Sequence, residues 1–290
     1  MQPICIVGPG RIGGSLAIAF SKACYRVTVA VRDLSRLRPE LGERIVSVEL
    51  TDLPSVDAEV FILAVPDTEI ERAAADIAPL LSGGRCVLHT SGSLDSSLLH
   101  PFRDRGIAAA SMHPLVSISD PHSGSEMLAG KYFCIEGDTA AGDVASGLAR
   151  AIGGKPFTIG TEYKPLYHAS AVMAAGNMAA LFNMAAEMLA KCGVERKAAN
   201  DMLMPLTRSA LRNIEDVQPG EGLTGSFARF DAAAFERHMA SIDQNISPEI
   251  RETFILLGEY TARISAAAQG REGDVAELLE KIKIAKGFGE

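Results

Sequence analysis

The chain has 290 residues, 47% of them hydrophobic and 22% charged, with a formal net charge of −8. That is enough apolar material for a sizeable core, and the length suits two domains rather than a disordered chain. The acidic balance, the lack of a Lys/Arg-rich run and the absence of Trp argue against nucleic acid or an anionic membrane as a partner.

Five scattered cysteines with no CxxC read as reduced thiols of a cytoplasmic protein, not a disulfide framework or zinc site. Six histidines form no HxH or HxxxH pair, so no metal is expected. No leader is expected at the N-terminus. The most apolar stretch, Tyr167–Ala190, is interrupted by His168, Asn177, Asn183 and Glu187. It reads as a buried helix of a soluble protein rather than a membrane span.

In chain order, strands are predicted at Ile4–Val7, Arg26–Val31, Ile45–Leu50, Val60–Val65, Cys86–His89, Ile107–Ala110, Tyr132–Ile135 and Lys155–Ile159. Helices are predicted at Gly13–Cys24, Thr68–Leu81 and Ala140–Ile152. This alternation indicates α/β architecture, a doubly wound, mostly parallel sheet with helices on both faces. From Pro165 onward the pattern is all helical: a long helix to about Lys191, then Glu195–Met204, Thr207–Asp216, Asp231–Ile242, Pro248–Ala268 and Glu272–Ala285. The expected organisation is residues 1–160 as a dinucleotide-binding domain and 161–290 as an all-helical substrate and dimerisation domain.

The first strand runs into Gly8-Pro9-Gly10-Arg11-Ile12-Gly13, a G-x-G-x-x-G turn leading into the first helix. Gly8 permits the tight turn, Gly10 lets a pyrophosphate approach the backbone, and Gly13 lets helix and strand pack closely. At the tip of the second strand, Val31 stands where an NAD site usually carries an acid, and Arg32 follows. Arg32, with Ser35 and Arg36, can meet a 2′-phosphate; alternatively, Asp33 takes the ribose hydroxyls. NADP is therefore favoured over NAD. Ala64, Val65 and Pro66 end the fourth strand and should line the cofactor crevice, since ligands of such folds lie beyond the strand carboxyl ends.

These motifs, with GPGRIGGS (8–15), LAVPD (63–67), HTSGSL (89–94), SMHPL (111–115), CIEGD (134–138), YHASAVMAAGN (167–177) and LTGSFARFD (223–231), resemble a family of oxidoreductases. Its members join a Rossmann-like domain to a C-terminal helical domain of unknown function. The family is similar to ketopantoate reductase, pyrroline-5-carboxylate reductase and prephenate dehydrogenase, within the group sharing a 6-phosphogluconate-dehydrogenase-type C-terminal domain. The resemblance implies hydride transfer with a nicotinamide cofactor.

His113, in Ser-Met-His-Pro-Leu, looks like the His-Pro segment of prephenate dehydrogenase. It is either a group that orients and protonates a substrate oxygen or a structural histidine. Ser91 either assists it or caps a turn. Ser170, Ala174 and Asn177 fall on one face at helical spacing, and Asn177 binds substrate, binds the nicotinamide amide or satisfies a neighbouring helix. Related dehydrogenases place a catalytic Lys four residues before a comparable Asn; this chain has Met173 there. His168 reads as structural or as a domain-interface residue, and Arg229 as a carboxylate ligand or the partner of Asp231.

The reading is an NADP(H)-dependent oxidoreductase of a small, anionic carbonyl or imine compound, ketopantoate-like 2-oxo acids among them. It is a homodimer through the Ala- and Met-rich long helix. The rival reading is a nicotinamide-nucleotide sensor or regulatory protein without catalysis.

Overall fold

The computed structural model describes residues 2–37, 41–42, 44–81 and 83–287. Among them, eight strands form one sheet: β1 Ile4–Val7, β2 Val27–Val31, β3 Ile45–Glu49, β4 Val60–Leu63, β5 Cys86–His89, β6 Ala108–Pro114, β7 Tyr132–Gly137 and β8 Lys155–Thr158. Their order is β3-β2-β1-β4-β5-β6-β7-β8. All neighbours are parallel except β6 and β7. The doubly wound sheet expected from the sequence is present. Its order reverses between β1 and β4, the place where such sheets open a ligand crevice.

Side-chain alternation explains the two layers. In β1, Ile4 and Ile6 enter one core with Leu16 and Phe20 of helix α1 (Arg11–Lys22), while Cys5 and Val7 enter the other. That second core holds Phe61 and Leu63 of β4, and Ile70, Ala73, Ala74 and Ile77 of helix α2 (Asp67–Ile77). A strand covered on both faces must be apolar at every position, which is how VFIL in β4 reads. Each large side chain so buried contributes about 1.5–3 kcal/mol.

Several boundaries differ from those predicted. β4 stops at Leu63 instead of Val65. Pro66 restricts the residue before it and has no N–H for a ladder. β6 runs four residues beyond Ala110, because Ser111–Pro114 pair antiparallel with Phe133–Glu136 of β7. His113 is therefore a strand residue, opposite Cys134. Helices α3 (His100–Arg103), α4 (Pro121–Met127) and α5 (Thr139–Ala151) flank the sheet, α3 on the α2 side and α4 and α5 on the α1 side. α4 was not legible in PHSGSEM, whose helix rests on the Asp120 cap and Pro121.

The long helical stretch is α6 (Lys164–Val172), a π segment (Met173–Asn177) and α7 (Met178–Lys191). The π turn interrupts the 3.6-residue spacing that places Ser170 and Asn177 on one face. The two helices predicted around Pro205 are a single one, α8 (Arg196–Asn213). Pro205 cannot donate to the carbonyl of Asp201, an exposed residue, and the helix continues past it. Then follow α9 (Pro219–Gly222), α10 (Ala232–Asn245), α11 (Pro248–Gln269) and α12 (Ala276–Ala285).

The chain divides into two compact units, 1–176 and 177–290. The second has its own core of Phe235, Met239, Ile242, Ile255, Leu278 and Ile282 from α10, α11 and α12. The expectation of a buried long helix is not met: only 6% of its most apolar 18-residue window is buried, and Thr161–Lys191 is long and apolar enough to cross a membrane by length and composition. In the second unit the core forms among α10–α12, while Met178 and Leu181 of α7 and Met202 and Leu206 of α8 remain exposed.

Candidate active site

The glycine turn has the form its sequence requires. Gly8 sits at φ +88°, a conformation that L side chains rarely adopt, and a Cβ there would lie 2.9 Å from Val65. A Cβ on Gly13 would meet the Gly8 carbonyl oxygen at 2.2 Å and the Ala64 methyl at 2.9 Å. Gly10 differs: a Cβ there meets nothing within 4 Å. No packing among the described residues demands glycine at position 10, but close approach by a ligand would. Gly10 is also the N-cap of α1, and no side chain caps the helix. The unpaired N–H groups of the first turn and the positive end of the helix dipole thus face a space that suits phosphate.

Gly8, Pro9 and Gly10 line a cleft of about 660 Å³, together with Arg32, Ala64, Val65 and Pro66. Of the other residues expected at the cofactor, Arg11 starts α1, Ile12 packs against the core and Gly13 lies buried under Gly8 and Ala64. The backbone N–H and hydroxyl of Ser35 both donate to Asp33 Oδ1, at 2.9 and 2.6 Å, so Ser35 shapes the turn. Arg36 closes that turn; its side chain lies outside the described residues.

Arg32 donates from Nη2 to Glu69 Oε2 across 2.7 Å, and Arg72 binds the same carboxylate. The two arginines, Arg32 first, hold the Glu69 carboxyl below the usual carboxylate range. Glu69 stands in the first turn of α2 and lines the cleft, as do Asp33 and Asp76. No sequence motif pointed to Glu69, because its pairing with Arg32 depends on strand order.

A second group of polar residues gathers at the carboxyl ends of β5 and β6. His89 ends β5, fully buried, and burial first pushes its pKa down to about 4, with the Lys164 charge adding to the shift. Ser91 donates its hydroxyl to Asp67 at 2.9 Å and accepts the N–H groups of Ser93 and Leu94 at 3.2 and 3.0 Å. With its hydroxyl so engaged, Ser91 fixes the loop rather than offering a proton. Asp67 also accepts the Ser93 hydroxyl at 2.8 Å.

His113 Nδ1 lies 2.8 Å from the Tyr167 hydroxyl. The His168 ring stands nearly perpendicular to that of His113, with centroids 5.7 Å apart. Both imidazoles close on Gly92, where a Cβ would sit 2.4 Å from His168 Nδ1 and 2.9 Å from His113 Nε2. His168 Nδ1 is buried without a hydrogen-bond partner among the described residues. Desolvation first, then the Lys164 charge, pushes His113 down to about 3, so it works as a neutral imidazole. Desolvation raises the Tyr167 phenol above its usual value, keeping it protonated. The bond fits either neutral tautomer: the phenol donates to a bare Nδ1, or Nδ1–H donates to the phenol oxygen. Held neutral, His113 could serve as an N–H donor but not as an imidazolium acid.

Asn177 closes the π segment, exposed, as the first residue of the second unit, and Met173 is exposed as well. Lys164 was missed altogether. Pro165 marks the helix start, but nothing local announces that the preceding lysine is buried.

Residues 2–114 match the Rossmann-like domain family, and residues 131–261 match a domain of unknown function, DUF2520. The chain joins a Rossmann-like domain to a DUF2520 domain. The DUF2520 match begins just before β7, so it takes in the strand opposite His113, the buried Glu136 and all of the Lys164–Asn177 stretch. D-apionate oxidoisomerase of Cupriavidus necator is 44% identical over 91 residues, which make up 30% of this chain and 32% of that protein. The match thus spans about a third of that relative's length.

Among solved structures, protein TM1727 of Thermotoga maritima aligns with a TM-score of 0.72 and 21% identity, over 92% of this Rossmann–DUF2520 chain and 99% of that one. A reductive aminase of Aspergillus terreus, in complex with NADPH and ethyl-5-oxohexanoate, gives 0.62 at 18% identity, covering 97% and 99%. A pyrroline-5-carboxylate reductase of Coxiella burnetii gives 0.57 at 15%, covering 100% and 99%. Identities this low establish the shared fold.

Proposed function

We propose that the protein is an NADP(H)-dependent oxidoreductase acting on a small, anionic carbonyl or imine compound. One observation carries this reading: a glycine turn open at Gly10 and the His113–Tyr167–His168 cluster stand at carboxyl ends of strands in one sheet. The folds it shares with the reductive aminase in its NADPH complex and with pyrroline-5-carboxylate reductase support it. The name of the partial relative, D-apionate oxidoisomerase, puts hydroxylated acids among the candidate substrates, beside the ketopantoate-like 2-oxo acids.

The nicotinamide cofactor, when bound, supplies or accepts the hydride. Gly8, Pro9 and Gly10 with the N-terminus of α1 would hold its phosphates, and Ala64–Pro66 would flank it. The preference for NADP rests on Arg32, which would have to leave Glu69 to meet a 2′-phosphate. The protein's own chemical part belongs to His113. In the tautomer where the Tyr167 hydroxyl donates to Nδ1, the neutral imidazole donates from Nε2 to a substrate oxygen or nitrogen, and Tyr167 orients it.

We also propose a homodimer through the helical unit. The exposed Met178, Leu181, Met202 and Leu206 of α7 and α8 support it, since apolar helix faces call for cover and two-fold pairing is the commonest solution. Asn183 and Glu187 on α7 bond to each other at 2.8 Å, a pair better suited to a wet protein interface than to lipid. Light scattering at micromolar concentration should give twice the monomer mass; a monomer mass unchanged on concentrating would refute it. The free cysteines fit a reducing, cytoplasmic setting.

The reaction is tested by screening 2-oxo acids, sugar acids and cyclic imines with both dinucleotides, following nicotinamide absorbance. Turnover of one class with NADPH supports the proposal. Tight dinucleotide binding with no turnover across the panel favours the sensor reading, which the exposed Met173 in place of a catalytic lysine keeps in view.

A further inference from the structure

Lys164 is the only buried lysine or arginine among the described residues, with no exposed surface at all. Its Nζ donates to the carbonyl oxygen of Ser91 at 2.9 Å. Ser91 leads directly into Gly92, on which the two imidazoles rest. Lys164, Tyr167 and His168 stand at i, i+3 and i+4 of α6, so one face of the first helical turns presents all three. The Tyr167 ring lies 5.8 Å from the Lys164 ammonium, and its hydroxyl reaches His113.

We infer that Lys164 is the positioning residue of the reacting site: a buried cation that fixes the Ser91–Gly92 backbone and orders the imidazoles resting on it. An ordinary helix start does not call for a buried ammonium, and removing one from water is costly unless it is bonded. The Ser91 carbonyl supplies that bond. Glu136 of β7, Asp67 of α2 and Asp95 in the loop after β5 attract the charge, as does the Cys134 thiol if ionised. Burial still dominates and brings the ammonium below its usual lysine value.

The groups facing His113 are Lys164, Tyr167 and His168 from α6, Asp67 from α2, His89 from β5 and Cys134 across the β6–β7 pair. Of these, the Lys164 charge acts most strongly against protonation of His113. Lys164 thus has two duties: it ties the β5 loop to α6, and it favours the neutral form of the imidazole.

The inference rests on the proposed placement of the reacting site, but its test needs neither cofactor nor substrate. Histidine NMR titrations are run on the wild type, Lys164→Gln and Lys164→Arg. Glutamine can keep a donor and loses the charge; arginine keeps the charge. The His113 midpoint should rise by about one pH unit or more in the glutamine variant and stay near wild type in the arginine variant. An unchanged midpoint in a folded glutamine variant overturns the inference. If that variant does not fold, acylation of wild-type lysines decides. Lys164 should resist the reagent while surface lysines react, and modification at the surface rate overturns the inference. Failure to find turnover would sink the proposed reaction and leave this coupling standing.

Discussion

The backbone N–H of Ser91 donates to Nδ1 of His89 across 3.2 Å, and Nε2 of the same ring meets the Asp95 carbonyl oxygen at 3.1 Å. Nδ1 must therefore be bare and Nε2 must carry the hydrogen. These two bonds select one neutral tautomer of a fully buried ring. A proton added at Nδ1 would face the Ser91 N–H, and the Lys164 charge opposes it further.

Acid should therefore loosen the fold through His89. The unfolded ring takes its proton near pH 6.5 and the folded ring only near pH 4, so the unfolded state binds protons first as pH falls. Stability from this source is complete above pH 6.5 and is lost on descending to pH 4, by roughly 3 kcal/mol. Urea unfolding at pH 7 and pH 4.5 should show a loss that shrinks in His89→Leu. The same loss in both proteins would contradict the assignment.

Arg32 and Glu69 set the second prediction. NADPH should bind more tightly than NADH, and Arg32→Ala should remove about 1.5–3 kcal/mol from NADPH alone, one to two decades in affinity. Glu69→Gln should free Arg32 and tighten NADPH binding further. Calorimetry on the three proteins checks this, and equal affinities for the two dinucleotides in the wild type would end the argument.

The imidazole pair can be displaced without touching the glycine turn. Gly92→Ala places its methyl against both rings, and should lower turnover about 10²-fold by misplacing them. His113→Ala should cost about 10²-fold or more through loss of the proton donor. Dinucleotide affinity should hardly change in either. Full turnover in both variants, measured once a substrate is in hand, would put the reacting site elsewhere.

What could be read from sequence follows from how local each feature is. β1 and β5 were delimited correctly because ICIV and CVLH are short apolar runs with clear ends. The glycine turn was legible because its three glycines fall at fixed spacing between a short apolar strand and a helix. His113 was singled out, but its place in a strand was not, since only pairing with β7 extends β6 past Ala110. The Glu69–Arg32 pair, the Gly92 contact and buried Lys164 all join residues at least 21 positions apart, and no periodicity reports them. The long helix was misjudged for the converse reason: an apolar sequence states that cover is needed, not that its own chain supplies it.

Dinucleotide binding at the open glycine is the claim on which the rest stands, and Gly10→Val tests it most directly. A Cβ at position 10 meets nothing among the described residues within 4 Å, so the variant should fold, with a lower melting temperature only to the extent that valine caps α1 less well than glycine. It would fill the space where the pyrophosphate must approach the backbone. Calorimetric titration with NADPH should show one site per chain in the wild type and at least about a tenfold loss in the variant, equivalent to about 1.4 kcal/mol. No binding to the wild type, or equal binding to both, would contradict the account.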